Sequence, residues 1–466
     1  MLDYTVAASP FLVAGGALLV LRWSAVWAGC AALLAALAGA FFWPALELGN
    51  FSGTLLGGIS TSGRVLYVLF GGLLLYNLLS AGGAIQRVSE FLGVLEPEKE
   101  ALALVVVIGA APFFESVTGF GVAVVISAPI LLAAGFSPLK AAVLASWGQC
   151  AVPWGALGVG TLIGADLAGM RFGELSDASA LLSLPLFPVY GLSAVALAGG
   201  WNGLRKRGLE AMLLGLVAGF GTLFTSLYLI PELSGAVGGF AAVVTFLATR
   251  RESLSRAHIP FRDLSPYGFL LILLALTNGP EGIQSALENL SPIFAGPGLP
   301  LLLSGLFTVW LLGLHRDTGL SAIRRTFVQW LPTAGAVVTF VLAGQVVGNS
   351  GAAALLASAA VGLGKFYPLA APAIGALGGA LTGSNAASNA LFMPLQVEAA
   401  NSTGASKALV AAIQNVAGSH ASLLAPQRVI LAATATGLLG QEGRIIRAAL
   451  PPVAISIAVL ILLGAA

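Results

Sequence analysis

The chain has 466 residues, 58% hydrophobic and 9% charged, with a net charge of +2 and a mean hydropathy of +0.96. A soluble domain carries roughly 25% charged residues, so this composition excludes a water-coated globule and points to lipid as the solvent. Long unbroken apolar runs argue for closed helices rather than the short alternating segments of a β-barrel. With no basic stripe, no nucleic-acid partner is expected.

A spanning helix needs about 20 apolar residues. In chain order the candidate spans are 6–21, 24–46, 65–83, 101–114, 118–135, 140–163, 180–200, 208–230, 232–249, 266–278, 298–314, 327–347, 366–382, 386–400, 408–440 and 448–465. Several are too short or too polar to cross alone. The pattern predicts an all-α polytopic membrane protein with about 12–14 transmembrane helices plus re-entrant pieces. The stretch from Val6 to Leu21 reads as a first span rather than a cleavable signal. Its early charge is Asp3, not a basic cluster, and a second apolar run follows almost at once. Cys30 and Cys150 lie in apolar runs without disulfide or metal spacing and read as packing residues.

Three basic clusters are separated by two spans each: Arg205, Lys206 and Arg207; then Arg250, Arg251, Arg256 and Arg262; then His315, Arg316, Arg324 and Arg325. They are expected on one side, which the positive-inside rule makes cytoplasmic. The segment with Glu281 and Glu288 is then external. Polar loops are too short for an attached ATPase, and no phosphate-binding G-x-x-x-x-G-K-[ST] loop occurs. Uphill movement would draw on an ion gradient or a partner chain, and no cofactor is expected. The basic stretch 205–207 divides the chain into an N-terminal repeat, 1–207, and a C-terminal repeat, 208–466.

Two polar, glycine-rich breaks interrupt the apolar runs. The first runs from Pro112 through Glu115, Ser116, Thr118 and Gly119 to Gly121; Gln149, Pro153 and Gly155 follow about thirty residues later. The second runs from Thr382 through Gly383, Ser384, Asn385 and Ser388 to Asn389; Gln414, Asn415, Gly418, His420, Pro426 and Arg428 follow at a similar distance. Corresponding breaks in two halves are the sequence mark of a transporter site built from repeats. Gly and Pro free backbone groups, which in hydrocarbon must be buried in protein or line a watery cavity. The N-terminus of a resuming half-helix attracts a carboxylate.

The residues expected to bind substrate are Ser116, Thr118, Gly119, Gln149, Thr382, Gly383, Ser384, Asn385, Ser388, Asn389, Asn415 and His420. As donors to a small hydroxylated anion they compete with plain helix packing, where small residues and Ser/Thr are common; the run Gly375 to Gly379 reads as such packing. Glu115 lies between apolar runs, where a carboxylate is costly unless neutral or paired, and is the candidate proton carrier, with His420 as a second. His258 and His315 sit in basic loops and read as bland. Arg428 either pairs with a substrate carboxylate or snorkels to the interface. Trp147 and Trp154 either shape the cavity or anchor at the interface.

These residues carry a family resemblance. The stretch from Phe113-Phe114-Glu115 to Gly119-Phe120-Gly121, and on to Pro153, resembles the L-lactate permease family. So do Thr382-Gly383-Ser384 through Ser388-Asn389-Ala390-Leu391-Phe392, the Asn415–Gly418 and Pro426-Gln427 segments, and Gly437 to Glu442. The resemblance implies an inverted-repeat transporter with re-entrant hairpins, in the cell membrane, moving lactate, glycolate or a related 2-hydroxy monocarboxylate together with protons. Here Ser422-Leu423-Leu424 and Ala425 stand where many members carry a lysine before the S-P-Q segment. The competing transport reading is sodium coupling to another organic anion, a dicarboxylate or sulfonate, with Asn and backbone carbonyls as ligands. An intramembrane enzyme lacks support, since no H-E-x-x-H or paired Asp stands out. A passive channel is a further reading. The expected partners are the anion, the proton and membrane lipid, with the oligomeric state open.

Overall fold

A computed structural model describes the chain except Pro97, Phe120, Ala151, 251–258, 279–280, 291–295 and Ala466. Arg251, Arg256, His258 and Phe120 therefore lie outside the described residues, as do the side chains of Cys150, Glu281 and Glu288. Among the described residues every regular element is helical. Eight helices are long and apolar enough to cross a membrane, or up to ten if each bent pair is one span.

The helices are α1 (Leu2–Leu19), α2 (Ala25–Phe42), α3 (Phe51–Ala81), α4 (Ala84–Leu95), α5 (Lys99–Thr118), α6 (Val122–Ala133) and α7 (Pro138–Cys150). Then follow α8 (Gly155–Ala168), α9 (Phe172–Ser183), α10 (Leu186–Tyr228), α11 (Ser234–Ala248), α12 (Phe261–Asn278), α13 (Glu281–Leu290) and α14 (Gly298–Leu312). The last are α15 (Arg316–Asn349), α16 (Ala352–Ser358), α17 (Tyr367–Thr382), α18 (Asn385–Thr403), α19 (Lys407–Ala421), α20 (Pro426–Thr436) and α21 (Glu442–Ala465).

Bends and short pieces account for several predicted spans. Two of them, 180–200 and 208–230, fall largely within α10, a 43-residue element that turns at Gly200 (φ 61°, ψ −148°). Arg205, Lys206 and Arg207, expected in a loop, are helical, because the turn comes earlier at a glycine that tolerates positive φ. The candidate 118–135 becomes the short α6, and 140–163 is split between α7 and α8.

The two breaks build two re-entrant hairpins. In the first, α5 and α6 meet at Gly119–Gly121, and the Lys99 ammonium donates to the Gly135 carbonyl (2.7 Å). Its open ends therefore share one face. In the second, α17 and α18 meet at Gly383–Ser384, with Tyr367 Oη donating to Gln396 Oε1 (2.7 Å). Each hairpin is followed by a broken span, α7–α8 and α19–α20, the latter bent by 48°. Lys407, which opens α19, donates to the Gly169 carbonyl just past α8 (3.3 Å). The second unit thus starts where the first ends, on the opposite face. Packing is reciprocal: α8 lies against α18, while α20 lies against α6 and α7. Around this core, α1, α2, α3, α14 and α15 pack on one another as a scaffold.

The described members of the three basic clusters share the face where the first hairpin opens. Arg207 pairs with Glu98 and with Glu210 (2.9 Å), and Arg250 pairs with Glu96 and with Glu210 (2.6 Å). Arg262 donates to the Leu311 carbonyl at the end of α14 (2.6 Å). On this face, hydrogen bonds from Arg207 and then Lys206 hold the Glu98 carboxyl below the ordinary carboxylate range.

A group with a depressed folded pKa stabilises fully at neutral pH and loses that contribution as pH falls through its folded value. The melting midpoint of the detergent-solubilised protein should therefore fall on acidification, and Glu98→Gln should flatten that fall; equal slopes would show the pair contributes nothing. A second expectation concerns the scaffold–core contact, where a Cβ at Gly344 of α15 would overlap the Ala390 carbonyl oxygen of α18. Gly344→Ala should cost about 1–3 kcal/mol as overpacking. Gly319→Ala in the same helix, with nothing within 4 Å, should stabilise by about 0.5–1 kcal/mol.

Candidate functional site

Both breaks line one cavity of about 1040 Å³. From the first half it takes Glu115, Gly119, Gln149, Pro153 and Gly155; from the second, Thr382, Gly383, Ser384 and Asn385. Its wall continues over Ser419, Ser422, Gln427 and Arg428. It reaches Arg22 and Trp23 between α1 and α2, and Glu442 and Ile446 at the start of α21.

Local backbone chemistry explains why the chain opens here. Gly119 (φ 66°), Gly121 (φ 82°) and Gly383 (φ 61°) hold positive φ at the hairpin tips, where a Cβ would be strained. After Pro153, three successive residues are left-handed: Ala156 (φ 42°), Leu157 (φ 54°) and Gly158 (φ 87°). Two of these carry a Cβ, a strained turn of the kind that gathers at functional sites. A Cβ at Gly119 would sit 2.8 Å from the Ala156 side chain, so hairpin tip and strained turn fit only because position 119 is bare. The second broken span takes another route, a 3-10 turn at Ser422–Leu424, extended Ala425, and Pro426 in the first turn of α20.

Four helix starts, those of α6, α8, α18 and α20, converge on this region, each with first-turn N–H groups that the helix leaves unpaired. Ser384 caps α18, its Oγ accepting from the Ala387 amide (3.4 Å). The amides of Gly121 and Ala123 at the start of α6 lie close enough to act on the Glu115 carboxylate. Gln149 Nε2 donates to Glu115 Oε1 (3.2 Å), and Arg428 Nη1 stands 3.6 Å from the same oxygen. Arg428 Nε donates to the Gly383 carbonyl (2.8 Å) and Gln427 to the Thr382 carbonyl. The end of α17 is thus satisfied by side chains from the start of α20.

Behind the cavity wall lies a buried amide cluster. Asn415 Oδ1 accepts from Asn385 Nδ2 and Asn389 Nδ2 (both 2.8 Å). Asn415 Nδ2 donates to Thr161 Oγ1 (3.1 Å) and Ser179 Oγ (2.9 Å) in the first half. Asn389 also donates to the Gly160 carbonyl (2.9 Å). Ser388 Oγ accepts from Gln414 Nε2 (3.1 Å).

Of the sequence-predicted residues, Glu115, Gly119, Gln149, Thr382, Gly383, Ser384 and Asn385 line the cavity. Asn389, Ser388 and Asn415 stand behind it and hold its wall. Three residues lie elsewhere. Thr118 Oγ1 donates back to the Phe114 carbonyl (2.6 Å). Ser116 faces α11, where a Cβ at Gly235 would overlap its Oγ. His420 is buried between Tyr190 and Ser456, its Nδ1 2.6 Å from Ser456 Oγ and its ring edge-on to Trp147. Ser419 on α19 and Ser422 in the turn that follows it, not His420, meet the cavity. Trp147 and Trp154 are fully buried rather than interfacial, Trp154 Nε1 donating to Ser176 Oγ (2.9 Å). Sequence reasoning missed Thr161 and Ser179, which carry no local signal. It noticed Gln427 only as a motif match.

Asn415→Ala should remove four hydrogen bonds and leave Ser179 Oγ buried without this partner, while Asn389 keeps the Gly160 carbonyl and Thr161 the Pro153 carbonyl. It should destabilise by about 1–3 kcal/mol. The melting midpoint in detergent reads this; an unchanged midpoint would remove Asn415 as the link between the halves.

The sequence profile of the L-lactate permease family matches residues 3–258 and 281–465. The glycolate permease GlcA of Escherichia coli K12 is 24% identical, covering 82% of this chain and 80% of its own length. The L-lactate permease of Streptococcus iniae is 26% identical over 72% of this chain and 78% of its own, and that of Escherichia coli K12 is 23% identical over 82% and 80%. Among solved structures, the YdaH transporter of Alcanivorax borkumensis aligns over 90% of this chain and 89% of its own, at 17% identity and a TM-score of 0.48. The chain belongs to the L-lactate permease family of membrane permeases.

Proposed function

We propose that this protein is a proton-coupled symporter of a small 2-hydroxy monocarboxylate, lactate or glycolate, across the cell membrane. The observation that carries the reading is the single cavity shared by both breaks, holding Glu115 beside Arg428 and the starts of helices. Such helix starts favour a carboxylate, and Ser384, Asn385 and Gln149 supply polar groups for a hydroxylated anion. The relatives' names, L-lactate permease and glycolate permease, support the substrate class. Glu115 is the proton carrier, because it faces the cavity while His420 is enclosed by protein. His420 serves to hold α19 against α10 and α21. The two halves act as inverted repeats, and by the positive-inside rule the cavity opens to the cytoplasm.

Transport then follows from alternating access. The core of hairpins and broken spans carries the site, and it moves against the scaffold of α1–α3, α14 and α15.

Proteoliposomes with an inward proton gradient should accumulate labelled lactate, with sodium replaced by choline making no difference. No stimulation by the proton gradient would sink the coupling, and dependence on sodium would favour the sodium-coupled reading. Glu115→Gln should lose gradient-driven accumulation while keeping lactate exchange between equal solutions. Full uphill transport by this variant would remove Glu115 from the mechanism.

A further inference from the structure

Arg428 lies at the crossing point of the two halves. Its Nε is fixed by the Gly383 carbonyl (2.8 Å), so the guanidinium cannot swing freely. Among the described residues its Nη1 and Nη2 make no hydrogen bond to protein; their one charged neighbour is Glu115 Oε1, at 3.6 Å. The side chain is 19% exposed, and the residue lines the cavity. A guanidinium with one edge fixed and the other free is suited to receive a carboxylate side-on through two N–H groups. The opposing carboxylate is also incompletely bonded: Glu115 Oε2 is buried without a hydrogen-bond partner.

We infer that Arg428 is the counter-ion of the transported carboxylate and that Glu115 competes with it, so that Glu115 must take a proton before the anion is held. This rests on the symport reading above. With Glu115 ionised, the pair is neutral and an entering anion meets a like charge beside the cation. With Glu115 protonated, the guanidinium is left uncompensated and its free edge accepts the substrate. The proton comes from water in the cavity and forms an O–H bond on Glu115; no bond of the substrate breaks.

Among the described residues no other titratable group intervenes. The elements around Glu115 contribute Gln149 from α7, the Gly121 and Ala123 amides from α6, Gly155 from α8 and Arg428 from α20. The remaining charged residues on the cavity wall are Arg22, between α1 and α2, and Glu442, on α21. One cation at the breaks also sets the charge of the cargo, which matches a monocarboxylate better than a dicarboxylate.

The test is L-lactate binding to the purified full chain in detergent, by titration calorimetry across pH 5.5–8.5. The wild-type dissociation constant should rise about tenfold per pH unit once pH passes the titration of Glu115, as expected when one proton is taken up with the anion. Glu115→Gln, which mimics the protonated state, should bind with an affinity independent of pH. Arg428→Gln should bind at least about a hundredfold more weakly at every pH, while Arg428→Lys recovers part of the affinity and keeps the pH slope. The inference is overturned if Arg428→Gln binds as the wild type does, or if Glu115→Gln retains the wild-type slope. Should Arg428→Gln fail to fold, the slope of Glu115→Gln decides alone. Failure of the symport reading looks different: the wild type itself then shows no gradient-driven lactate uptake. Gradient-driven uptake with a pH-independent dissociation constant overturns the competition and leaves symport standing.

Discussion

A backbone N–H or C=O with no partner in hydrocarbon costs several kcal/mol, and this one penalty organises the whole molecule. Both breaks expose such groups in mid-chain, so each must find its partners in protein or face water. The fold does both. Gln427 and Arg428 satisfy the carbonyls of Thr382 and Gly383, while the Pro153 carbonyl accepts from Thr161 Oγ1 (3.0 Å). Residues of both breaks also line the shared cavity. Each of these three bonds lies within one half. The halves are tied by the packing of α8 on the second hairpin and of α20 on α6, and by the bonds from Asn415 to Thr161 and Ser179 and from Asn389 to the Gly160 carbonyl.

The buried amide cluster follows from this constraint. Asn415 sits where the two halves meet and uses both its oxygen and its nitrogen, linking α8 and α9 to α18. Model systems give interhelical polar bonds in membranes only about 1–2 kcal/mol each. Their weight here lies in specificity, since a core rearranged by one helical turn would strand several amides at once. Bare glycine contacts serve the same end. Gly344 beside Ala390, and Gly379 beside Gly418, let helices approach until backbone touches backbone.

Membrane class, the two breaks and their matching order were legible in the sequence because glycine, proline and clustered Asn/Ser stand out against apolar runs. The side of each helix was not. On α5 Glu115 faces the cavity while Ser116, about 100° further round, faces α11; no periodic apolar stripe marks the difference in a helix buried on all sides. The same rotation separates Ser419 from His420. Thr161 and Ser179 were invisible for another reason: a lone hydroxyl in a membrane helix commonly bonds its own preceding turn, as Thr118 does. Only the fold shows that these two reach across to Asn415 instead. The turn at Gly200 was hidden behind the basic residues that follow it.

Placing Glu115 and Arg428 on opposite halves has a mechanical consequence. A pair within one rigid helix keeps its spacing whatever the protein does. This pair spans the contact between α5 of the first hairpin and α20 of the second broken span, so its separation depends on how the halves sit. In the proposed symport, protonation of Glu115 weakens the pair, and a bound carboxylate replaces the lost attraction to Arg428 from within the cavity. Neither the proton nor the anion alone leaves the junction both neutral and bonded; the empty ionised pair does, and so does the state carrying both. A junction stable in those two conditions and disfavoured in the intermediates is the physical requirement that the proposed symport of proton and anion sets.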